Sequence, residues 1–557
     1  SKTYLYWANR EGFEEKYVRV YGIPAGKMAT VRLVSRGAFE TVRGSNTVTV
    51  VSVADDAPAF AAAETTSIPL SRYVSKESWG AVPLDAATLQ GGEVTFTKLS
   101  GTLPAGVKVS YDAEGKALAV GGLVTAKPGA YEVSYQVVET RLVGGAKRRV
   151  PGLTAKIAFS VVDPTDVKTN PEGANPSVAK ARILKDLPVV SADGRLVGVL
   201  QLTIPTYGRV SGKYACESGT IALTASGWTD FDGETKDLSA RIASRRWAGF
   251  ADVVVHASGA VDVNVSDPLY PDGPLTASHD GRQWSAANTA EGWQGYYTVA
   301  LPVEKIVEST DGTLVPTGSG SLTLDLRSTS AKRTGTVRWA GVLPNGTAVS
   351  GSTVLGSPYK GPSAAGADTL LDWADLPIFK ASSRDVLSVG ARIRKDALAE
   401  KDSDRRAVLS ADGVVSCWWH GERIAGVADS LVDLGVYGAV YDRTEDLRTC
   451  CEEFYQTADL ALGFDVEDLV NTAYGVPSAP AALQVTVTDS DIVVKPGQEN
   501  PSSITLRLNR ATGVVSGQFR LPCGDKAVPA TYRGVVITGW GEGCGCGPTA
   551  GLKTLPL

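Results

Sequence analysis

The chain has 557 residues, 43% of them hydrophobic and 21% charged, with 55 basic against 60 acidic side chains and a formal net charge of −5. That length predicts about three to four domains, and the hydrophobic share supports large buried cores. No basic stripe is present, which argues against a nucleic-acid partner, and no run of about 18 apolar residues offers a membrane-spanning helix.

The 60 Gly and 29 Pro, with many Val and Thr, point to strands and tight turns rather than helices. Residues 1–57 carry Tyr4-Leu-Tyr-Trp7, Val18-Arg-Val20, Thr30-Val-Arg-Leu33 and Thr47-Val-Thr-Val-Val51, which predict two or three strands before Asp55-Asp-Ala-Pro58 breaks the pattern. A piece this short is expected to pack on its neighbour or to complete a sheet in another subunit. The opening at Ser1 and the close on Gly551-Leu-Lys-Thr-Leu-Pro-Leu557 read as a piece processed from a longer precursor.

Across 58–163, Tyr131, Val133, Tyr135 and Val137 alternate, as do Ile157, Phe159 and Val161, which fits strands of an antiparallel sandwich. The same stretch holds Leu99-Ser-Gly-Thr-Leu-Pro-Ala-Gly-Val107, Asp112, Gly115, Gly121-Gly122 and Pro128-Gly-Ala-Tyr-Glu-Val133. On these residues it resembles an immunoglobulin-like domain family of bacterial surface proteins, with Val107 where that family has Leu and Val120-Gly-Gly-Leu-Val124 in place of its middle motif. Residues 164–185, with Pro164, Pro171 and Pro176, read as an extended, exposed polar linker.

From 186 to 557 one phrase recurs: Gly208-Arg-Val-Ser-Gly212 and Gly513-Val-Val-Ser-Gly517, with looser copies at Gly259-Ala-Val-Asp-Val263, Gly335-Thr-Val-Arg-Trp339 and Gly413-Val-Val-Ser-Cys417. Each predicts a strand entered from a turn whose Gly takes a positive φ. Three blocks align, Leu200–Ile204 before Gly208, Leu322–Leu326 before Gly335 and Ile504–Leu508 before Gly513, and Asn345-Gly346 is a hairpin signal. Gly295–Pro302, Thr317–Gly320, Gly341–Gly346, Gly517-Gln-Phe-Arg and Tyr532–Thr538 together resemble a β-repeat module of very large secreted bacterial surface proteins. Two such domains are expected, 186–362 and 363–557, the second holding one helix over Thr444–Leu462 with Leu447, Cys451, Phe454 and Leu460 on one face and Glu445 and Asp446 at its start.

Chemistry is sparse. Cys216, Cys417, Cys450, Cys451, Cys523, Cys544 and Cys546 are disulfide candidates, and the odd count leaves at least one thiol over. Cys544-Gly-Cys546 lacks a second pair at zinc spacing, and the vicinal Cys450-Cys451 pair is expected to find separate partners or none. His256, in Val253-Val-Val-His-Ala257, reads as a strand histidine without a base partner; His279 reads as solvated in a polar loop. His420 and Cys417 sit three apart in Cys417-Trp-Trp-His420, an odd spacing that sends them to opposite strand faces. The acidic run Phe464-Asp-Val-Glu-Asp468 lacks the central Gly of a calcium loop and reads as a solvated turn. Among 11 Trp and 19 Tyr, Trp284, Trp293 and Tyr296 cluster in a turn-rich stretch and are the candidates for stacking on sugar rings; burial in a β core is the competing fate.

The resulting expectation is an all-β chain of tandem antiparallel sandwiches or barrels, including one immunoglobulin-like domain and few short helices. Its expected role is a secreted, bacterial cell-surface structural or adhesive protein, a subunit of a filament or layer joined to copies of itself or other surface proteins through edge strands. A carbohydrate-binding or carbohydrate-processing module that takes glycans and a passive spacer are the alternatives. No catalytic, metal or cofactor motif is found, so the chain is not expected to be an enzyme.

Overall fold

The computed structural model describes the backbone of the strands between Tyr4 and Val51, and residues 65–309, 319–395, 406–420, 430–462, 482–538 and 549–553 apart from 85–88, 90, 144–145, 169, 364–365 and 524–525. The protein is all-β, and its α-helices among the described residues are two short ones, Thr329–Thr334 and Leu447–Tyr455. It divides into two compact units, Ser1–Arg72 with Lys76–Val162, and Tyr73–Ser75 with Asp163–Leu557.

In the first unit, Tyr4–Asn9 pairs with Lys16–Tyr21 and Met28–Arg36 with Val42–Val51, four strands where the sequence predicted two or three. A four-stranded sheet then runs in the order Thr65–Ser71, Ala146–Val162, Gly129–Val143, Glu93–Gly101, its first pair parallel. A three-stranded sheet, Ser75–Pro83, Ala117–Leu123, Val107–Asp112, completes the layers. The alternation read from sequence does the packing. Val133, Tyr135 and Val137 meet Ile157, Phe159, Val161, Leu118 and Val120 in one core, because successive side chains on a strand leave by opposite faces.

The second unit begins with an eight-stranded antiparallel barrel. Its staves are Arg182–Val190, Leu196–Ile204, Ser211–Cys216, Gly219–Thr224, Leu238–Ser244, Trp247–Val255, Val261–Ser266 and Leu275–His279. It closes through Val190 opposite Thr276 and Thr224 opposite Ala243. Eight strands leave an interior that side chains can fill, and Leu200, Leu202, Tyr214, Trp228, Ile242, Val253 and Val263 fill it, each at most 1% exposed.

An eleven-stranded sheet follows. It opens with the same meander of four, Tyr296–Ser309, Ser319–Asp325, Thr336–Val342 and Ala348–Val354. The hairpin Tyr359–Ser363 with Gly366–Ala381 carries this sheet straight through the domain division expected between 362 and 363. Behind it Leu447–Tyr455 and two small sheets form a further core with Leu483, Val485, Val515, Phe519 and Tyr532. Thr298 Oγ1 donates to the Val536 carbonyl at 2.6 Å and ties this layer to the large sheet.

The glycine that opens each of the five copies takes positive φ: Gly208 at 75°, Gly259 at 98°, Gly335 at 63°, Gly413 at 70° and Gly513 at 64°. The three aligned blocks are three equivalent hairpins, Leu196–Ile204 with Ser211–Cys216, Ser319–Asp325 with Thr336–Val342, and Thr505–Asn509 with Val514–Cys523.

Two expectations fail. Residues 164–185 are not an extended, exposed linker. Asn175 is fully buried, its Nδ2 donates to the Val255 carbonyl at 2.9 Å, and its Oδ1 caps the short turn Pro176–Val178. Its side chain thus bonds two backbone groups, one across the fold and one local, and accepts from the Ser177 hydroxyl as well, which holds this polar segment against the barrel. The helix over Thr444–Leu462 is also shorter. Asp446 is its N-cap, accepting from the Arg448 and Thr449 amides, and Gln456 ends it at φ 57°, so Leu460 falls in the strand Asp459–Leu462.

Candidate functional site

The strand Arg182–Val190 pairs Leu184 with Leu202 and Leu187 with Leu200, so Lys185 and Asp186 together oppose the single residue Gln201. This is a bulge, a device that re-aims a side chain. Asp186 takes φ 51°, a left-handed conformation that Asp tolerates better than most residues. Its carboxyl enters the lining of a cleft of about 490 Å³ between the barrel strands Arg182–Val190 and Leu275–His279 and the facing strands Ala348–Val354, Tyr359–Ser363 and Gly366–Ala381. That volume lies within the roughly 300–1,000 Å³ of small-molecule sites.

Asp375 faces the cleft from the large sheet and accepts from the Tyr359 hydroxyl at 3.0 Å. Burial pushes both Asp186 and Asp375 above the usual carboxylate range, outweighing the bonds from Val354 and Thr353 to the first and from Tyr359 to the second. Tyr359 is pushed up to about 12 by burial and by the neighbouring Asp375. Asp280 behaves differently. Burial opposes its ionisation, yet the Arg282 amide, the Ser357 hydroxyl and the Arg282 guanidinium hold it below that range. The cleft thus sets two hard-to-ionise carboxyls beside an ionised one, with Arg282 and Gln283 as donors.

Of the three predicted sugar-stacking residues, only Trp284 lines this cleft. Its Nε1 donates to the Leu355 carbonyl at 2.6 Å, which fixes the indole against the wall. Trp293 is 5% exposed and belongs to the core of the large sheet, its carbonyl accepting from the Tyr297 hydroxyl at 2.7 Å. It has no face to offer a sugar. Tyr296 is half-buried away from the cleft, under the Arg327 guanidinium at 4.7 Å and edge-on to Tyr441.

The histidines also differ from expectation. His256 has two carboxylate partners, Nδ1 to Asp237 Oδ2 and Nε2 to Asp262 Oδ2, both at 2.9 Å. The Asp262 bond foremost, then Asp237, raises its pKa against the effect of burial. The turn between neighbouring staves brings the three together, a proximity across strands that residue spacing conceals. His279 is not solvated. It ends a barrel strand, lines the cleft, accepts from the Gly281 amide at 2.8 Å, and is held neutral by burial.

Cys417 and Cys451 are free thiols rather than disulfide partners, and Cys216 and Cys450 are buried. Cys417 is fully buried and pushed up to about 12 by burial, with Asp433 adding to the effect and Arg195 opposing it, so it stands as a thiol and not a nucleophile. The His420 side chain, Cys523, Cys544, Cys546 and the run 464–468 lie outside the described side chains. No group of three His, Cys, Asp or Glu that could hold a metal ion occurs among the described residues.

Asp186, Asp375 and Tyr359 were missed from sequence. The available signal was a charged pair, Lys185-Asp186, interrupting the apolar run Ile183-Leu184 and Leu187, and an Asp inside Trp373-Ala-Asp-Leu-Pro377. No family model matches the chain, and no curated protein matches it.

Proposed function

We propose that this chain is an extracellular, cell-surface adhesive scaffold that grips a saccharide in the cleft between the barrel and the large sheet. One observation carries the reading: Asp186 on its bulge and Asp375 on the facing sheet line the same cleft as Trp284 and Tyr359. Sugars present hydroxyl pairs that carboxylates accept and C–H faces on which aromatic rings pack. The ligand hydroxyls would supply hydrogen bonds to carboxyl groups already stripped of much of their water, which is where a binding site differs from a packed core. The role is binding, in keeping with the absence of a catalytic motif in the sequence.

A glycan array followed by calorimetry tests this. Wild type should retain a defined glycan, and Tyr359→Ala and Asp375→Asn should each weaken it about tenfold or more, the loss of one buried hydrogen bond or stacked ring. No retained glycan, or variants that bind like wild type, would overturn the proposal.

Assembly through edge strands is a second reading. It is favoured by Glu93–Gly101, an outer strand of its sheet with Leu99 52% exposed. Deleting residues 1–20 or the tail should abolish any polymer seen by electron microscopy; polymer that survives both deletions would count against it.

A further inference from the structure

A second concavity, of about 600 Å³, lies between the C-terminal sheet and the Val342–Ala348 turn of the large sheet. The ladder registers define its floor. Arg507, Ser516 and Arg533 stand opposite one another on three adjacent strands, and Thr505, Gln518 and Thr531 form the next row. Arg520 shares this face two residues beyond Gln518, and Lys553 occupies the register position opposite Thr531. The reverse face carries Phe519, Ala530 and Tyr532 into the core. Among the described residues, no Asp or Glu lines the concavity. Arg507, Arg520 and Arg533 are exposed, and none has an ion pair among the described residues. Strands lie about 4.8 Å apart, so the two arginines flanking Ser516 are set roughly 10 Å from each other across a hydroxyl-bearing strand.

From this we infer a second binding site, independent of the cleft, for an acidic polysaccharide: a saccharide chain carrying carboxylate or sulfate groups. The guanidinium groups supply planar, paired donors to such anions. Thr505, Ser516, Gln518 and Thr531 supply partners for sugar hydroxyls between them. Nucleic acid fits less well. Tyr532, the one aromatic residue in the lining among the described residues, is 3% exposed, so little of its ring is open for a base to stack on, and the chain as a whole is acidic.

The test is affinity electrophoresis of the full chain through gels containing polygalacturonate, dextran sulfate or neutral dextran, with a single-stranded oligonucleotide in a parallel binding assay. Retardation by polygalacturonate alone, dextran sulfate alone, or both supports the inference and identifies which anion is read. Arg507→Gln with Arg533→Gln should weaken binding at least tenfold and flatten its salt dependence, with an unchanged Tm because both side chains are exposed. Arg507→Lys with Arg533→Lys should keep the salt dependence but bind more weakly than wild type, because an ammonium keeps the charge and loses the planar, paired donors. No retardation by either acidic polymer, equal retardation by neutral dextran, tighter binding of the oligonucleotide, or full binding by the double Gln variant would overturn it.

Discussion

Gly208→Ala isolates what the recurring glycine phrase contributes. Gly208 sits at φ 75°, and an added Cβ would lie 2.5 Å from Trp228 Cδ1 and 2.7 Å from its backbone nitrogen. Trp228 cannot step aside. It is fully buried, its amide donates to Tyr73 at 2.9 Å, and its carbonyl accepts from Ser75 at 2.7 Å. The left-handed backbone costs about 1–2 kcal/mol for a residue with a Cβ, and overpacking costs typically 1–3 kcal/mol. Reduced freedom of the unfolded chain returns about 0.4–1 kcal/mol, which leaves a net loss of roughly 2–4 kcal/mol. Gly413→Ala is the matched control, because its φ is 70° and nothing lies within 4 Å of the added carbon. It should lose only about 1 kcal/mol, the backbone strain alone. Urea unfolding followed by tryptophan fluorescence measures both. Equal losses for the two variants, or a loss below about 1 kcal/mol for Gly208→Ala, would refute the packing argument.

Asp186→Asn and Asp375→Asn should each raise the Tm at neutral pH while weakening glycan binding, since a carboxyl whose folded pKa is raised loses stability as pH climbs through that value; a scan showing a lowered Tm for both would contradict this. His256, flanked by Asp237 and Asp262, has the same sign: its raised folded pKa gives a stabilisation complete below the unfolded value near 6.5 and lost as pH rises through the folded one. His256→Gln should therefore flatten the stability profile above that pH, and an unchanged profile in urea titrations would sink the idea. Cys417 should resist a thiol reagent at pH 8 in the native protein and react once unfolded; modification of Cys417 in the native state, mapped by mass spectrometry, would contradict its burial.

Periodicity made the strands legible. Val261, Val263 and Val265 point inward and Asp262 and Asn264 outward, as alternation requires. The glycines were legible too, because only a few backbone states suit a turn into a strand and Gly reaches them without strain. What the residue order concealed is pairing at long range. Asp186 and Asp375 are brought to one cleft by the packing of a barrel on a sheet, and no local pattern encodes that approach. Trp293 and Tyr296 are neighbours in the chain, yet one faces the core and the other does not. Asn175 belongs to a stretch whose composition reads as linker, yet it is fully buried and bonded to Val255, 80 residues away.

The barrel seals its circumference on one side through a lone pair of residues, Val190 with Thr276. Both belong to the staves that wall the cleft, where Gln283 Nε2 already bridges to the Ile183 carbonyl at 2.6 Å. Amide protons along that seam should exchange with solvent earlier than those of the fully laddered staves. A guest lodged in the cleft would span the seam like a clasp, so occupancy and the mechanical closure of the barrel would rise and fall together.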